Sequence, residues 1–135
     1  MLGSLHHVSL TCRSLQASQR FYQQFGFVEE KRYQDDDVTI VLLKSSSGTR
    51  IELFHFREPQ SDSAREFMNL KQVGISHIAL SVPDLVSCFQ LLQATAKCSP
   101  ITRARMGGFS YFFTTDPDGN NVEFITMDTQ ENHQC

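Results

Sequence analysis

The sequence has no C-x-x-C pair, no basic excess, no tryptophan and no apolar run long enough to span a membrane. Twelve Lys and Arg stand against fifteen Asp and Glu, for a formal charge of −3. A protein that neutralises a phosphate backbone carries a basic surplus, so nucleic acid is excluded as the main partner. A stretch of about 20 consecutive apolar residues is missing, which excludes a membrane helix. No charged-then-apolar segment opens the chain, so the expectation is a soluble, cytoplasmic protein with no membrane contact. Cys12, Cys88, Cys98 and Cys135 form no zinc ribbon or redox dithiol and read as free thiols. With 40% hydrophobic and 20% charged residues, the 135 residues fit one folded domain.

What the chain does contain is a copy of itself. Residues 5–10 read LHHVSL and residues 75–80 read ISHIAL; aligning His7 with His77 sets an offset of 70. The same offset carries Leu15-Gln16-Ala17-Ser18 onto Leu85-Val86-Ser87-Cys88. An offset of 71 carries Gly48-Thr49-Arg50-Ile51-Glu52-Leu53 onto Gly119-Asn120-Asn121-Val122-Glu123-Phe124. Each half runs strand, helix, strand, glycine turn, strand, with His at its start and Glu 45 or 46 residues later. Alternation predicts strands over 5–12, 38–43, 50–56, 75–82, 110–115 and 121–127. Ser14 and Asp84 cap predicted helices, the first over about 15–25 with Leu15, Ser18, Tyr22 and Phe25 on its stripe. The second carries Leu85, Phe89, Leu92 and Ala96 at helical spacing. Asp116-Pro117-Asp118-Gly119 reads as a hairpin turn. The expected organisation is one domain over 1–135 made of two modules, about 5–57 and 74–127. A polar linker over 58–73 joins them and holds a short helix after Ser61 or Asp62; the tail from Asp128 frays.

Period-two geometry then makes a claim about direction. Glu52 sits between Ile51 and Leu53, Glu123 between Val122 and Phe124, His7 beside Val8 and His77 beside Ile78. Their apolar neighbours face the helices, so all four side chains project from the other side of the sheet. One imidazole and one carboxylate from each half make a neutral ligand set for a divalent first-row cation. Zinc, nickel, iron, cobalt and manganese all suit such a set, one ion per site. Without a cation, two carboxylates sharing an enclosed site would repel. His6 points with the apolar face, His55 has the wrong parity for the site, and His133 lies in the tail. Asp35-Asp36-Asp37 lacks the spaced ligands and glycine of a calcium loop and reads as a solvated turn. Most phenylalanines are core, while Phe54, Phe56 and Phe112 are candidates to line a pocket.

LHHVSL with SQRFYQQFGF, then ISHIALSVPDL and DPDGNNVEFI, resembles the vicinal oxygen chelate superfamily over about residues 5–127. That superfamily includes glyoxalase I, bleomycin-resistance proteins, fosfomycin-resistance enzymes, methylmalonyl-CoA epimerase and extradiol dioxygenases. The resemblance implies an α+β fold of two βαβββ modules whose curled mixed sheets surround a metal site. It also implies a homodimer with sites at the interface. The set His7, Glu52, His77 and Glu123 resembles that of glyoxalase I, a metal-dependent lyase of the lactoylglutathione lyase type. That enzyme isomerises the hemithioacetal of methylglyoxal and glutathione through a metal-stabilised enediolate. The resemblance assigns the catalytic base to Glu123, with Glu52 as the second candidate. Two glutathione-binding positions of such enzymes, an Arg and an Asn, are Thr11 and Phe56 here. Met106 stands where a basic residue precedes a glycine pair, so Arg103 and Arg105 are the candidate anion anchors. The alternatives are an epimerase, a dioxygenase, an antibiotic thiol transferase, or a non-catalytic binder of a small molecule.

Overall fold

The structure, a computed structural model, describes residues 1–58, 67 and 69–129. The predicted short helix after Ser61 or Asp62, His133 and Cys135 lie outside the described residues. The chain divides into two compact units, each with one four-stranded sheet and one helix. In the first, β1 (Val8–Thr11), α1 (Leu15–Gln23), β2 (Val28–Gln34), β3 (Val38–Lys44) and β4 (Arg50–Phe56) give the sheet order β1-β4-β3-β2. In the second, β5 (Ile78–Ser81), α2 (Leu85–Gln93), β6 (Thr102–Arg103), β7 (Phe109–Thr115) and β8 (Asn121–Met127) repeat it as β5-β8-β7-β6. The first strand of each unit is parallel to the last and the other pairs are antiparallel. Two open, mixed sheets in βαβββ order are therefore present, as expected from the repeat and the resemblance. Among the described residues no helix is long and apolar enough to cross a membrane.

Two strands escaped the alternation rule. β2 reads VEEKRYQ and every residue in it is exposed, with a register shift between Glu29 and Lys31. A sheet edge protected by charges and a bulge carries no apolar signal. β6 is two residues long. The helices form where the caps predict. Ser14 Oγ accepts the Ala17 amide at 3.2 Å, and Asp84 Oδ1 accepts the Ser87 amide at 3.1 Å. The buried stripe of α1 is Ser18, Phe21 and Tyr22, rotated from the predicted one, with Leu15 and Phe25 only half-buried. That of α2 is Leu85, Cys88 and Leu92. Burial pushes the Cys88 thiol up to about 11, which leaves it inert at neutral pH.

The cores are built by β3 and β4, whose buried residues alternate, and by consecutive buried residues of β7 and β8. Val41, Leu43, Ile51 and Leu53 are buried along with Tyr22 and Phe27 in the first unit, and Phe112, Val122 and Phe124 along with Leu92 in the second. Gly48 and Gly119 close the two equivalent β-turns with φ of +91° and +84°, a conformation that favours glycine. The chain beyond β8 does not fray at once: the Asp128 amide bonds to the Gly108 carbonyl at 2.9 Å and its carboxylate pairs with Arg103.

Removing the α1 cap by Ser14→Ala is expected to cost about 1 kcal/mol, measured by chemical denaturation. The Ser87 amide, then its hydroxyl, hold the Asp84 carboxyl below its ordinary value of 3.8. The folded value thus lies under the unfolded one, so the stabilisation is complete above pH 3.8 and is lost as pH falls through the lower folded value. Asp84→Asn keeps an acceptor but does not titrate, and should flatten this acid limb in an unfolding curve followed by circular dichroism.

Candidate functional site

In the first unit, the parallel ladder between β1 and β4 opposes Ser9 to Glu52 and Thr11 to Phe54. His7 lies one residue before the ladder, and its Nε2 is 3.3 Å from Glu52 Oε1. The Ser9 hydroxyl donates to the same oxygen at 2.7 Å. Behind the ring, His7 Nδ1 lies 2.8 Å from His6 Nδ1. Phe54 and Phe56 continue the Glu52 face of β4, their rings stacked at 6.0 Å and 16°. Ile40 and Val38 of β3 stand opposite them.

The second unit repeats this arrangement in a drier setting. Ala79 is opposed to Glu123 in the register that Ser9 and Glu52 hold, but it has no hydroxyl to offer. His77 Nε2 is 2.7 Å from Glu123 Oε2, and His77 Nδ1 is 2.8 Å from Ser76 Oγ. Phe113 lies across the ladder from Glu123 and presents its ring edge-on to His77 at 4.7 Å between centroids. Glu123 is 9% exposed. A carboxylate so enclosed needs a partner to offset lost hydration, and the imidazole is that partner.

Each half therefore brings together the His and Glu that its alternation aimed at one face. Among the described residues, no group of three or more His, Cys, Asp or Glu side chains is placed to hold a metal ion. The pocket candidates divide. Phe54 and Phe56 share the Glu52 face, but Phe112 does not share that of Glu123. It is 0% exposed, stacked on Phe124 and edge-on to Phe89 of α2. Phe113 occupies the position assigned to it. Counting residues inward from the β7–β8 turn, which pairs Thr115 with Asn121, would have found it. Both terminal nitrogens of Arg103 pair with the Asp128 carboxylate. Arg105 stands exposed in the turn that Gly107 closes on Ala104. Ser9 and Ser76 carried no motif of their own, although their places beside the histidines in both repeats were visible.

Two further features lie apart from the pairs. His55 Nδ1 is 3.1 Å from the Cys12 carbonyl, on the side of β4 away from Glu52. The Asp35 carboxylate closes its turn by accepting the Asp37 and Val38 amides, which hold it below the usual carboxylate range. A cavity of about 340 Å³ there is lined by Asp35, Asp36, Asp37, His55 and Arg57 among others, and contains none of the four paired side chains.

The family model described as Glyoxalase/Bleomycin resistance protein/Dioxygenase superfamily matches residues 4–124. No curated protein matches the chain. Among solved structures, a glyoxylase/bleomycin resistance protein/dioxygenase domain from Frankia sp. EAN1pec is 22% identical with a TM-score of 0.72, over 98% of both chains. A genomically encoded fosfomycin resistance protein from Listeria monocytogenes is 17% identical with a TM-score of 0.70, over 96% of this chain and 98% of its own. The trypanothione-dependent glyoxalase I of Leishmania major is 20% identical with a TM-score of 0.64, over 93% and 87%. At these identities the likeness establishes the fold alone.

The separation of Phe112 from Phe56 is measurable. Phe112→Ala should destabilise the protein by about 3–5 kcal/mol through the cavity it leaves. Phe56→Ala, at a half-buried position, should cost clearly less in the same denaturation experiment.

Proposed function

Because the chain belongs to the Glyoxalase/Bleomycin resistance protein/Dioxygenase superfamily, we propose that it is a metal-dependent enzyme of the glyoxalase I type. It acts on a small carbonyl compound or its thiol adduct. The observation that carries the reading is the duplicated His–Glu pair, His7–Glu52 and His77–Glu123, at one register in both units. The donor set fits a divalent cation: two imidazole nitrogens and two carboxylates, of borderline and hard character, with zinc or nickel the best matches. A pair supplies only two donors, so a complete site needs one pair from each unit. We place it at the interface of a homodimer, where the first unit of one copy meets the second unit of its partner.

When bound, the cation supplies positive charge beside the substrate's oxygens. Glu123 is the better base. Its neighbour Ala79 offers no hydrogen bond, whereas Ser9 occupies Glu52 Oε1 and restrains that carboxylate. Glu123 takes the carbon-bound proton and returns it to the adjacent carbon, within the dry wall of Phe113. Ser9 keeps Glu52 oriented as a fixed donor. Thr11, Phe56 and the paired Arg103 leave little to bind the carboxylates of glutathione, so the thiol carrier is not assigned. The alternatives in the superfamily, epimerase, dioxygenase, thiol transferase or non-catalytic binder, predict different results in the test below.

Elemental analysis of protein purified without chelators should find a stoichiometric divalent metal, and hemithioacetal isomerisation should follow nickel or zinc loading. Glu123→Gln should lower turnover at least 100-fold, at the low end of what a positioned base contributes; undiminished turnover would refute the base assignment. Oxygen uptake with a catechol and ferrous iron would point to a dioxygenase. Unchanged thermal stability after chelation, with no metal present, would point to a binder.

A further inference from the structure

The two pairs share a feature that pairing alone does not require. Each histidine turns Nε2 to its glutamate and Nδ1 to the side chain of the residue just before it. His77 meets Ser76 Oγ and His7 meets His6 Nδ1, both at 2.8 Å. His6 and Ser76 are equivalents in the repeat, 70 residues apart. Chemically they are unlike, yet each can donate or accept: a hydroxyl by rotation, a neutral imidazole by choice of tautomer.

That property matters because the ring has two jobs. Facing a carboxylate, a neutral His77 carries its proton on Nε2 and donates it to Glu123, so Nδ1 accepts from the Ser76 hydroxyl. Facing a cation, Nε2 must present its lone pair, so the proton sits on Nδ1 and Ser76 must accept it. The exchange releases one proton from Nε2 and takes one up at Nδ1, leaving the ring neutral. A carbonyl or carboxylate in place of Ser76 would serve only the second arrangement. The same reasoning holds for His7 with His6. In the second unit Phe113, edge-on to the ring, also limits its rotation.

We infer that His6 and Ser76 are positioning residues that hold the rings of His7 and His77 in place while the ring proton changes sides on metal loading. The inference rests on the proposed metal-binding role of the pairs. It assigns a task to two side chains outside the donor set, and it explains why dissimilar residues occupy one repeat position.

The test uses the full-length protein labelled with ¹⁵N, with imidazole tautomers read from two-bond nitrogen–proton correlations at slightly alkaline pH, before and after addition of Zn²⁺. Affinity for Zn²⁺ is measured alongside by competition with a chromophoric chelator. The expected result is His77 protonated on Nε2 without metal and on Nδ1 with it. Ser76→Ala and His6→Ala should each weaken Zn²⁺ binding roughly tenfold or more. Ser76→Thr should restore affinity, and so should His6→Ser, which gives the first unit the hydroxyl used by the second. An Nδ1-protonated or doubly protonated His77 in the metal-free protein would overturn the inference. So would tight Zn²⁺ binding that is indifferent to both alanine variants. Failure of the unaltered protein to bind Zn²⁺, nickel or cobalt would instead remove the metal reading on which the inference stands.

Discussion

In each unit a four-residue strand lies parallel to the last strand of its sheet, and this pairing decides which side chains can meet. Ser9 opposes Glu52 and Ala79 opposes Glu123, so the residue two before each falls beside the carboxylate at the start of the ladder. A slip of one residue in β4 would turn Glu52 to the helix side and Ile51 and Leu53 to the open face. Exposing each of those apolar side chains costs about 1.5–3 kcal/mol, and an unpartnered buried carboxylate adds several more. The sum is comparable to the whole stability of a domain this size, about 5–15 kcal/mol. The core therefore enforces the register, and the register delivers the His–Glu pair. No separate energy is needed to gather the pair's two side chains.

This coupling explains what was legible in the sequence. Ile51, Leu53, Val122 and Phe124 reveal by alternation which way their neighbours point, and they are among the most buried residues. Glu52, Glu123, His7 and His77 were readable because apolar residues flank them. Where no apolar residue reports on direction, legibility ends. β2 is exposed throughout and charged, so its pairing with β3 left no trace in periodicity. Phe112 and Phe113 are adjacent and both apolar, so alternation gives no phase; only the hairpin pairing of Thr115 with Asn121 sets it. The ion pair of Arg103 was hidden for a different reason. Its partner Asp128 is 25 residues away and on no shared element, a relation that only the folded chain creates.

The two halves have diverged on the same scaffold. Around Glu52 stand a serine hydroxyl, a histidine pair and a half-exposed phenylalanine stack. Around Glu123 stand alanine, a buried phenylalanine and a serine behind the ring. A hydroxyl bonded to one carboxylate oxygen restricts its rotation. An apolar wall instead strengthens whatever charge interaction the carboxylate makes. The Glu52 carboxylate is thus the more restrained of the two, and that of Glu123 the more enclosed.

Charge on the open face of the first unit narrows what could be recognised there. Arg50 shares the parity of Glu52 but is held by Glu30 at 3.1 Å. Further along β4 the same face carries Phe54 and Phe56, opposed to Ile40 and Val38. Thr11, across from Phe54, offers a hydroxyl and no charge. An anionic tripeptide relies on guanidinium groups that bind carboxylates in a fork, and the Arg50 guanidinium on this face is already taken by Glu30. A stacked pair of rings favours flat or apolar groups, with about 0.5–1.5 kcal/mol per aromatic contact beyond burial. The His7–Glu52 pair and this phenylalanine wall thus occupy successive stretches of one face of β4.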